Sequence, residues 1–410
     1  MGQEPLRLVH AADFHLEQPL GGIGHVPDTA RERLIEAPYL AAERVFDTAL
    51  AERADLVVLA GDLVDPRRSG PRGPAFLAEQ FARLAEHAID VYWATGAIDA
   101  ADRWPACVRL PPNVHVFPAG RPEEFVRTGE RTVGVRLVGA SRRERRAIRA
   151  DAFFPSASGL PTIAVANGTV DPANLLPRNI EYWALGGRQQ QQTLECGPAL
   201  AVYPGSPQGR RPAHLGPHGC QLVSIDRQRR VESLPVATDV VRWFRERVEV
   251  DAETTFEQLE RRLRERTAAL AASSPGVDRL VTWVVAGSGP LMSQLRHEQR
   301  VARLLDALQR EFGTGPDATW SVGLAREHSV ESLGHLAEQD TIVGAFLREV
   351  GRHLADPDST LDLRSYLDPR YAAGTLGDRV TLDTPSTRPR LLAEAALLGT
   401  DLLDGEETSL

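Results

Sequence analysis

The sequence contains no lysine, so all 47 of its basic residues are arginine. Any contact with phosphate would therefore be made by guanidinium groups, which are planar, always charged and able to grip two oxygens at once. Cysteine is scarce: Cys107, Cys196 and Cys220 lie far apart and are odd in number. That supports neither a disulfide framework nor a zinc knuckle, and it predicts a reducing, cytoplasmic setting. No apolar run reaches the roughly 18 residues that a membrane span needs. Met1 to Pro5 runs straight into a strand-like segment without the apolar stretch and cleavage site of a secretory signal. A net charge of −9 excludes coating of nucleic acid by bulk electrostatics, though it leaves room for local patches.

What is present is globular: 42% hydrophobic and 25% charged residues in a chain of 410, enough for two domains or one large α/β domain with additions. Leu6–Ala11 and Leu56–Ala60 read as buried strands, and Tyr39–Arg53 and Ala75–His87 carry apolar residues at helical spacing. Asp90–Ala94 returns to strand. This alternation predicts a largely parallel sheet covered by helices, with ligand sites at the carboxyl ends of its strands. Further strands are expected at 114–117, 132–138, 162–166, 182–185, 199–203 and 221–225. Around residue 238 the chain changes character. Strand patterns at 241–250 and 279–286 and amphipathic helices at 255–271 and 301–312 form a small α+β module. From Ser329 the pattern is mostly helical, broken at Asp356-Pro357-Asp358 and Asp368-Pro369, and it ends in a helix near 389–403 capped by Ser386 or Thr387. The expected domains are 1–238, 239–328 and 329–410.

Two strand ends carry candidate chemistry: Asp13-Phe14-His15 after the first, and Gly61-Asp62-Leu63-Val64-Asp65 after the second. Carboxylate oxygen and neutral imidazole nitrogen are what hard and borderline divalent metals take, and Asp62 is placed to bridge two ions. Ala11–Leu16 and Leu59–Asp65 resemble the first two motifs of calcineurin-like metallophosphoesterases, most nearly the SbcD/YhaO-like branch of DNA-repair exonucleases. Supporting segments are Pro112–Phe117, Glu181–Gly186 and Tyr203–Arg210. The resemblance implies a two-sheet α/β sandwich, a small α+β capping domain and a helical C-terminus, and it covers nearly the whole chain.

The resemblance also exposes departures. The family's third motif is Gly-Asn-His-Asp or Gly-Asn-His-Glu, supplying a metal-binding Asn and a general-acid His; here the position reads Gly96-Ala97-Ile98-Asp99. The fourth supplies a His before Gly, where this chain has Asn167-Gly168. The fifth, Gly-His-x-His, is replaced by Gly186-Gly187-Arg188-Gln189. By the family's pattern one ion would keep Asp13, His15 and Asp62 and find Gln189 in place of its fourth ligand. The other would keep Asp62 alone, with Ala97 and Gly187 offering no donor and Asn167 a poor one. Two-metal hydrolysis requires both ions, so no catalytic residue is expected. The cofactor is expected to be none, or one weakly bound divalent ion, manganese by the family's habit.

His10 is expected to be a core histidine and His115 structural; His214 and His218 lie in a Gly/Pro-rich loop; Arg188 faces solvent or fills the emptied pocket. The arginine runs 142–149, 210–211 and 227–230 are solvated faces or a track for a phosphate backbone. The preferred reading is a catalytically inactive scaffold acting with an SbcC-like coiled-coil ATPase in DNA processing, the C-terminal helices docking on the partner. Its rivals are an active one-metal phosphoesterase and a protein-binding regulator unrelated to DNA. Direct DNA contact and a homodimer are left open by the residues.

Overall fold

In the computed structural model, β1 (Leu6–Ala11) exposes only Arg7. A strand buried on both faces belongs inside a covered sheet, and the strand period of two divides its side chains accordingly. Leu6 and Leu8 face one apolar core while Val9 and Ala11 face another. The structure describes residues 4–23, 28–128, 132–142, 147–154, 159–175, 180–197, 199–287, 289–328, 330–356 and 387–403.

After β1 come α1 (Asp28–Ala51), β2 (Leu56–Leu59), α2 (Pro66–Ser69), α3 (Arg72–Glu86), β3 (Asp90–Trp93) and β4 (Val114–Val116). Next are β5 (Glu123–Arg127), β6 (Val135–Ala140), β7 (Thr162–Asn167), β8 (Tyr182–Gly186), β9 (Gln192–Cys196), β10 (Ala199–Tyr203), β11 (Gly219–Ile225) and β12 (Val231–Ala237). The first sheet runs β12-β11-β1-β2-β3-β4 and the second β5-β6-β7-β8-β10-β9. β1 to β4 are parallel neighbours, as are β6, β7, β8 and β10. The sheets face each other through Leu8, Leu56 and Val58 on one side and Leu137, Ile163, Val165 and Ala184 on the other. Behind the first sheet, Phe46 of α1 and Leu77, Phe81 and Leu84 of α3 pack on Val9, Val57 and Val91. Each such side chain, fully buried, contributes about 1.5–3 kcal/mol. The two-sheet α/β sandwich expected from the sequence is the fold.

Three strands of this sandwich, β5, β9 and β12, were not foreseen, and all three are sheet edges. An edge strand pairs on one side only and carries polar residues, or a proline such as Pro235, without loss, so its alternation is weak. The first helix also starts earlier than Tyr39, at Asp28, and runs through Pro38. A proline inside a helix costs about 3 kcal/mol. Against this, Ala30, Leu34 and Ala37 are buried with Trp243, Leu280 and Trp320, partners more than 200 residues away that no local pattern displays.

The chain divides into two compact units. One comprises Met1–Arg245, Leu270–Thr282 and Gln309–Val322; the other comprises Glu246–Ala269, Trp283–Leu308 and Gly323–Leu410. β13 (Val241–Val250), α4 (Phe256–Ser273), β14 (Asp278–Gly287), α5 (Pro290–Gln294), α6 (Glu298–Phe312) and β15 (Thr319–His328) follow the sandwich, with a sheet order β13-β14-β15. β15, again an edge, was unforeseen. In the second unit, α7 (Val330–Glu338) precedes α8 (Ile342–Ala355), whose Thr341 cap accepts the Gly344 N–H. Val343, Leu347 and Val350 of α8 pack against Leu392 and Ala396 of α9 (Arg388–Leu403). Pro389 sits in the first turn of α9; Ser386 and the two Asp-Pro breaks from Pro357 onward lie outside the described residues. Among those described, no helix is long and apolar enough to cross a membrane.

Candidate metal centre

The register of β1 on β2 sets Ala11 opposite Leu59, so the segments that follow leave the sheet side by side. Backbone bonds then hold them together: Asp13 N–H to Gly61 O at 2.9 Å, His15 N–H to Asp62 O at 3.1 Å and Leu16 N–H to Leu63 O at 3.0 Å. Asp13, His15 and Asp62 take φ values of 57°, 43° and 57°, a left-handed region that residues with side chains seldom occupy and that clusters at functional sites. All three are buried, at 2%, 3% and 4% exposure. The second sheet closes on this point through Gly186, the last residue of β8. A Cβ there would stand 1.9 Å from the Ala60 carbonyl oxygen, so only glycine allows the two sheets to touch.

The carboxylates meet hydrogen-bond donors of the protein itself. Asp62 accepts from the Ile98 N–H on Oδ1 at 3.2 Å and from the Asn167 amide on Oδ2 at 3.1 Å. The same amide nitrogen donates to Ala60 O at 2.8 Å. A carbonyl only accepts, so the NH₂ end of Asn167 must face this way. Asp13 Oδ2 accepts the Gly187 N–H at 2.8 Å. His15 lies with Nε2 3.9 Å from Asp13 Oδ1 and Nδ1 3.5 Å from Glu17 Oε1. Burial and the neighbouring Asp62 charge raise the Asp13 carboxyl to about 8, against the Gly187 and Arg188 N–H groups that favour its anion.

Asp99, the one residue that continues the third motif after its two losses, is buried and accepts N–H groups from Asp62, Leu63 and Gly96 at 3.1, 3.0 and 2.6 Å. It thereby holds the backbone that presents Asp62. Burial, then the Asp62 charge, lifts its carboxyl to about 7. Arg210, expected as a surface cation, is instead 3% exposed. Its guanidinium donates to Phe14 O and Gln18 O, clamping the loop that carries His15. Burial lowers its pKa to about 10, which leaves it charged. Its place within the Tyr203–Arg210 segment was the available signal for this role.

The residues do not fit a two-metal centre. At positions where the resemblance implies ligands to the second ion, Ala97 has no donor atom, Gly187 directs an N–H at Asp13, and Asn167 directs NH₂ at Asp62. An N–H cannot ligate a cation. At the first ion's position, Gln189 turns its Oε1 to Arg211 at 3.4 Å. Among the described residues, no group of three or more His, Cys, Asp or Glu side chains is arranged to hold a metal ion.

The other candidates have structural partners. His10 is buried, its Nδ1 2.9 Å from the Tyr182 hydroxyl, and burial drives its pKa down to about 3, so it is neutral. His115 stacks on Tyr92, ring centroids 4.9 Å apart. His214 and His218 stack on each other at 5.7 Å; His214 Nδ1 accepts the Arg210 N–H and His218 Nδ1 donates to Ser206 O. Arg188 lies 4.9 Å over the Tyr203 ring and donates to Gln192, so it does not replace a cation. Arg229 pairs with Glu181 and Arg230 with Asp226, while 143–146 of the first arginine run fall outside the described residues.

With this geometry in view, residues 6–183 match the family model of the calcineurin-like phosphoesterases. Over that stretch the chain is similar to the calcineurin-like phosphoesterases. It is 27% identical over 361 residues to the uncharacterized metallophosphoesterase YhaO of Bacillus subtilis, covering 85% of this chain and 87% of that one. Among solved structures, a dimetal phosphatase from Danio rerio matches at 12% identity and a TM-score of 0.35, over 58% of this chain and 100% of that one. Vacuolar protein sorting 29 from Cryptosporidium parvum matches at 16% identity and a TM-score of 0.25, over 56% of this chain and 96% of that one. Both likenesses concern the fold alone.

Proposed function

We propose that the chain is a calcineurin-like phosphoesterase homologue of the SbcD/YhaO-like kind that has lost two-metal phosphoester hydrolysis and serves as a non-catalytic scaffold in cytoplasmic DNA processing. The observation that carries this reading is the pair of protein N–H donors, from Ile98 and Asn167, that occupies both oxygens of Asp62. A bridging carboxylate is the one ligand that both ions of such a centre share, and here each of its oxygens already accepts an N–H of the protein itself. Ile98 also stands where the family places its general acid, so no proton donor replaces the missing histidine. The test is elemental analysis and a manganese-dependent nuclease assay, run beside Asp62→Ala. Fewer than one tightly held ion per chain and no cleavage above the variant are expected. Two held ions, or cleavage abolished by Asp62→Ala, overturn the proposal.

A second reading, a single-metal phosphoesterase using Asp13, His15 and Asp62, is favoured by the left-handed backbone kept at all three residues. Manganese binding that disappears in His15→Ala, together with slow hydrolysis, would establish it.

For the scaffold reading, an SbcC-like coiled-coil ATPase is the proposed partner and α9 its docking helix. Leu392 and Ala396 face α8, whereas Leu398 and Leu402 are 61% and 65% exposed. Leu398→Asp with Leu402→Asp therefore probes docking without touching the intramolecular core. Binding to the ATPase should fall while thermal melting stays unchanged; retained binding removes α9 from the interface.

A further inference from the structure

A cavity of about 790 Å³ opens at the carboxyl ends of β6 and β7, and neither Asp13, His15 nor Asp62 lines it. Its walls come from the segment after β4, the end of β6, the stretch around the 3-10 turn Ala150–Ala152, and the end of β7. They are mostly small and apolar, Ala140, Ala147 and Ala166 among them, with Ile148 and Phe153 supplying larger surfaces. Among the described residues, the charged side chains on its wall are Arg121, Arg142 and Arg149, and no carboxylate is among them. In a chain with a net charge of −9, a concave surface of one sign, positive, is a local exception that bulk composition does not produce.

The charges differ in how they are held. Arg142 donates to the Asn167 carbonyl oxygen, which fixes it at the inner end beside β7. Arg121 and Arg149 are exposed, and the bridge of Arg149 to Asp151, at 3.2 Å, joins two groups that are 82% and 58% exposed. Such a bridge contributes little and yields readily to a stronger anion. The volume lies within the range of about 300–1,000 Å³ typical of small-molecule sites, and it exceeds what an inorganic ion would fill.

We propose that this cavity binds an organic phosphate monoester of nucleotide size, its phosphate on the arginines and its body on the alanine, isoleucine and phenylalanine walls. Guanidinium groups bind phosphate bidentately, and an apolar wall with few charged groups is the usual construction of a ligand pocket. The site binds without hydrolysing, and it does not depend on whether the Asp13–Asp62 region holds a metal.

The experiment is calorimetric titration of the full chain, in EDTA, with AMP and separately with inorganic phosphate. AMP should bind, more tightly than phosphate, and should be recovered intact. Arg121→Ala and Arg149→Ala should each weaken AMP about tenfold, the loss of one charge-assisted contact. Both side chains are exposed, so unchanged melting should accompany the loss. Asp13→Asn, at a residue that does not line the cavity, should leave AMP affinity as it was. Absence of AMP binding overturns the proposal, as does affinity unchanged in both arginine variants. Phosphate binding as tightly as AMP removes the organic body from it. Affinity lost in Asp13→Asn but kept in the arginine variants would place the nucleotide at the Asp13–Asp62 region and sink the separate cavity.

Discussion

Both sheets reach the surroundings of Asp62, yet they contribute to it differently. The first sheet delivers Asp13, His15 and Asp62 on a buried, left-handed backbone, and Asp99 and Arg210 brace it from behind. The second sheet delivers the same strand ends, Asn167 opposite Gly186 in register, but the side chains there offer N–H groups instead of imidazole nitrogen. Backbone geometry and donor chemistry are therefore separable. Close approach of the sheets depends on glycines and ladder register, and those are intact, while the ligand set depends on side chains that the fold does not need.

The largest effect should come from the junction itself. Gly186→Ala places a methyl 1.9 Å from Ala60 O and should destabilise the sandwich by about 4 kcal/mol, read by chemical denaturation. If the variant is as stable as the parent, the sheets do not touch as described. Next is Arg210→Met, which strips the donors from Phe14 O and Gln18 O. A loss of about 3 kcal/mol is expected for breaking such a buried charged contact. A variant that melts with the parent would show the first sheet's loop to be self-supporting. Asn167→Ala on the second-sheet side should cost less, about 1–2 kcal/mol, since two hydrogen bonds of a neutral amide are removed. A loss as large as that of Arg210→Met would make the second sheet's amide as structural as the first sheet's clamp.

The smallest change in stability, and the sharpest test of separability, is restoration. Asn167→His with Gln189→His returns two imidazoles to a backbone that still presents Asp13 and Asp62. Manganese affinity should rise about tenfold or more for each ligand regained, the scale on which such positions act, while the melting temperature without metal moves little. Failure of a well-folded variant to gain any manganese would mean that backbone as well as donors has changed.

The parallel strands with their Asp-x-His and Gly-Asp ends were readable because each is a short, buried, local pattern. Edge strands β5, β9, β12 and β15 were not, since pairing on one side relaxes the alternation that marks a strand. Arg210 was misread for a related reason: an arginine beside an arginine looks like a surface run, and only the return of that segment to Phe14 and Gln18 makes it a clamp. The departures that the resemblance implies at Ala97, Ile98, Asn167, Gly187 and Gln189 concern residue type at single positions, so reading them needs no fold.

The amino-acid sequence by itself determined which atoms stand at the strand ends: carboxylates and an imidazole at Asp13, His15 and Asp62, and alanine, isoleucine, glycine and amides at Ala97, Ile98, Gly187, Asn167 and Gln189. Residue identity settles donor chemistry without reference to shape. Only the tertiary structure decided what those atoms do to one another. That Asn167 turns its NH₂ toward Asp62 follows from the Ala60 carbonyl on its other side, a contact across more than 100 residues. Side-chain direction in a buried polar cluster is set by which partners are brought within reach, and that is a property of packing between sheets.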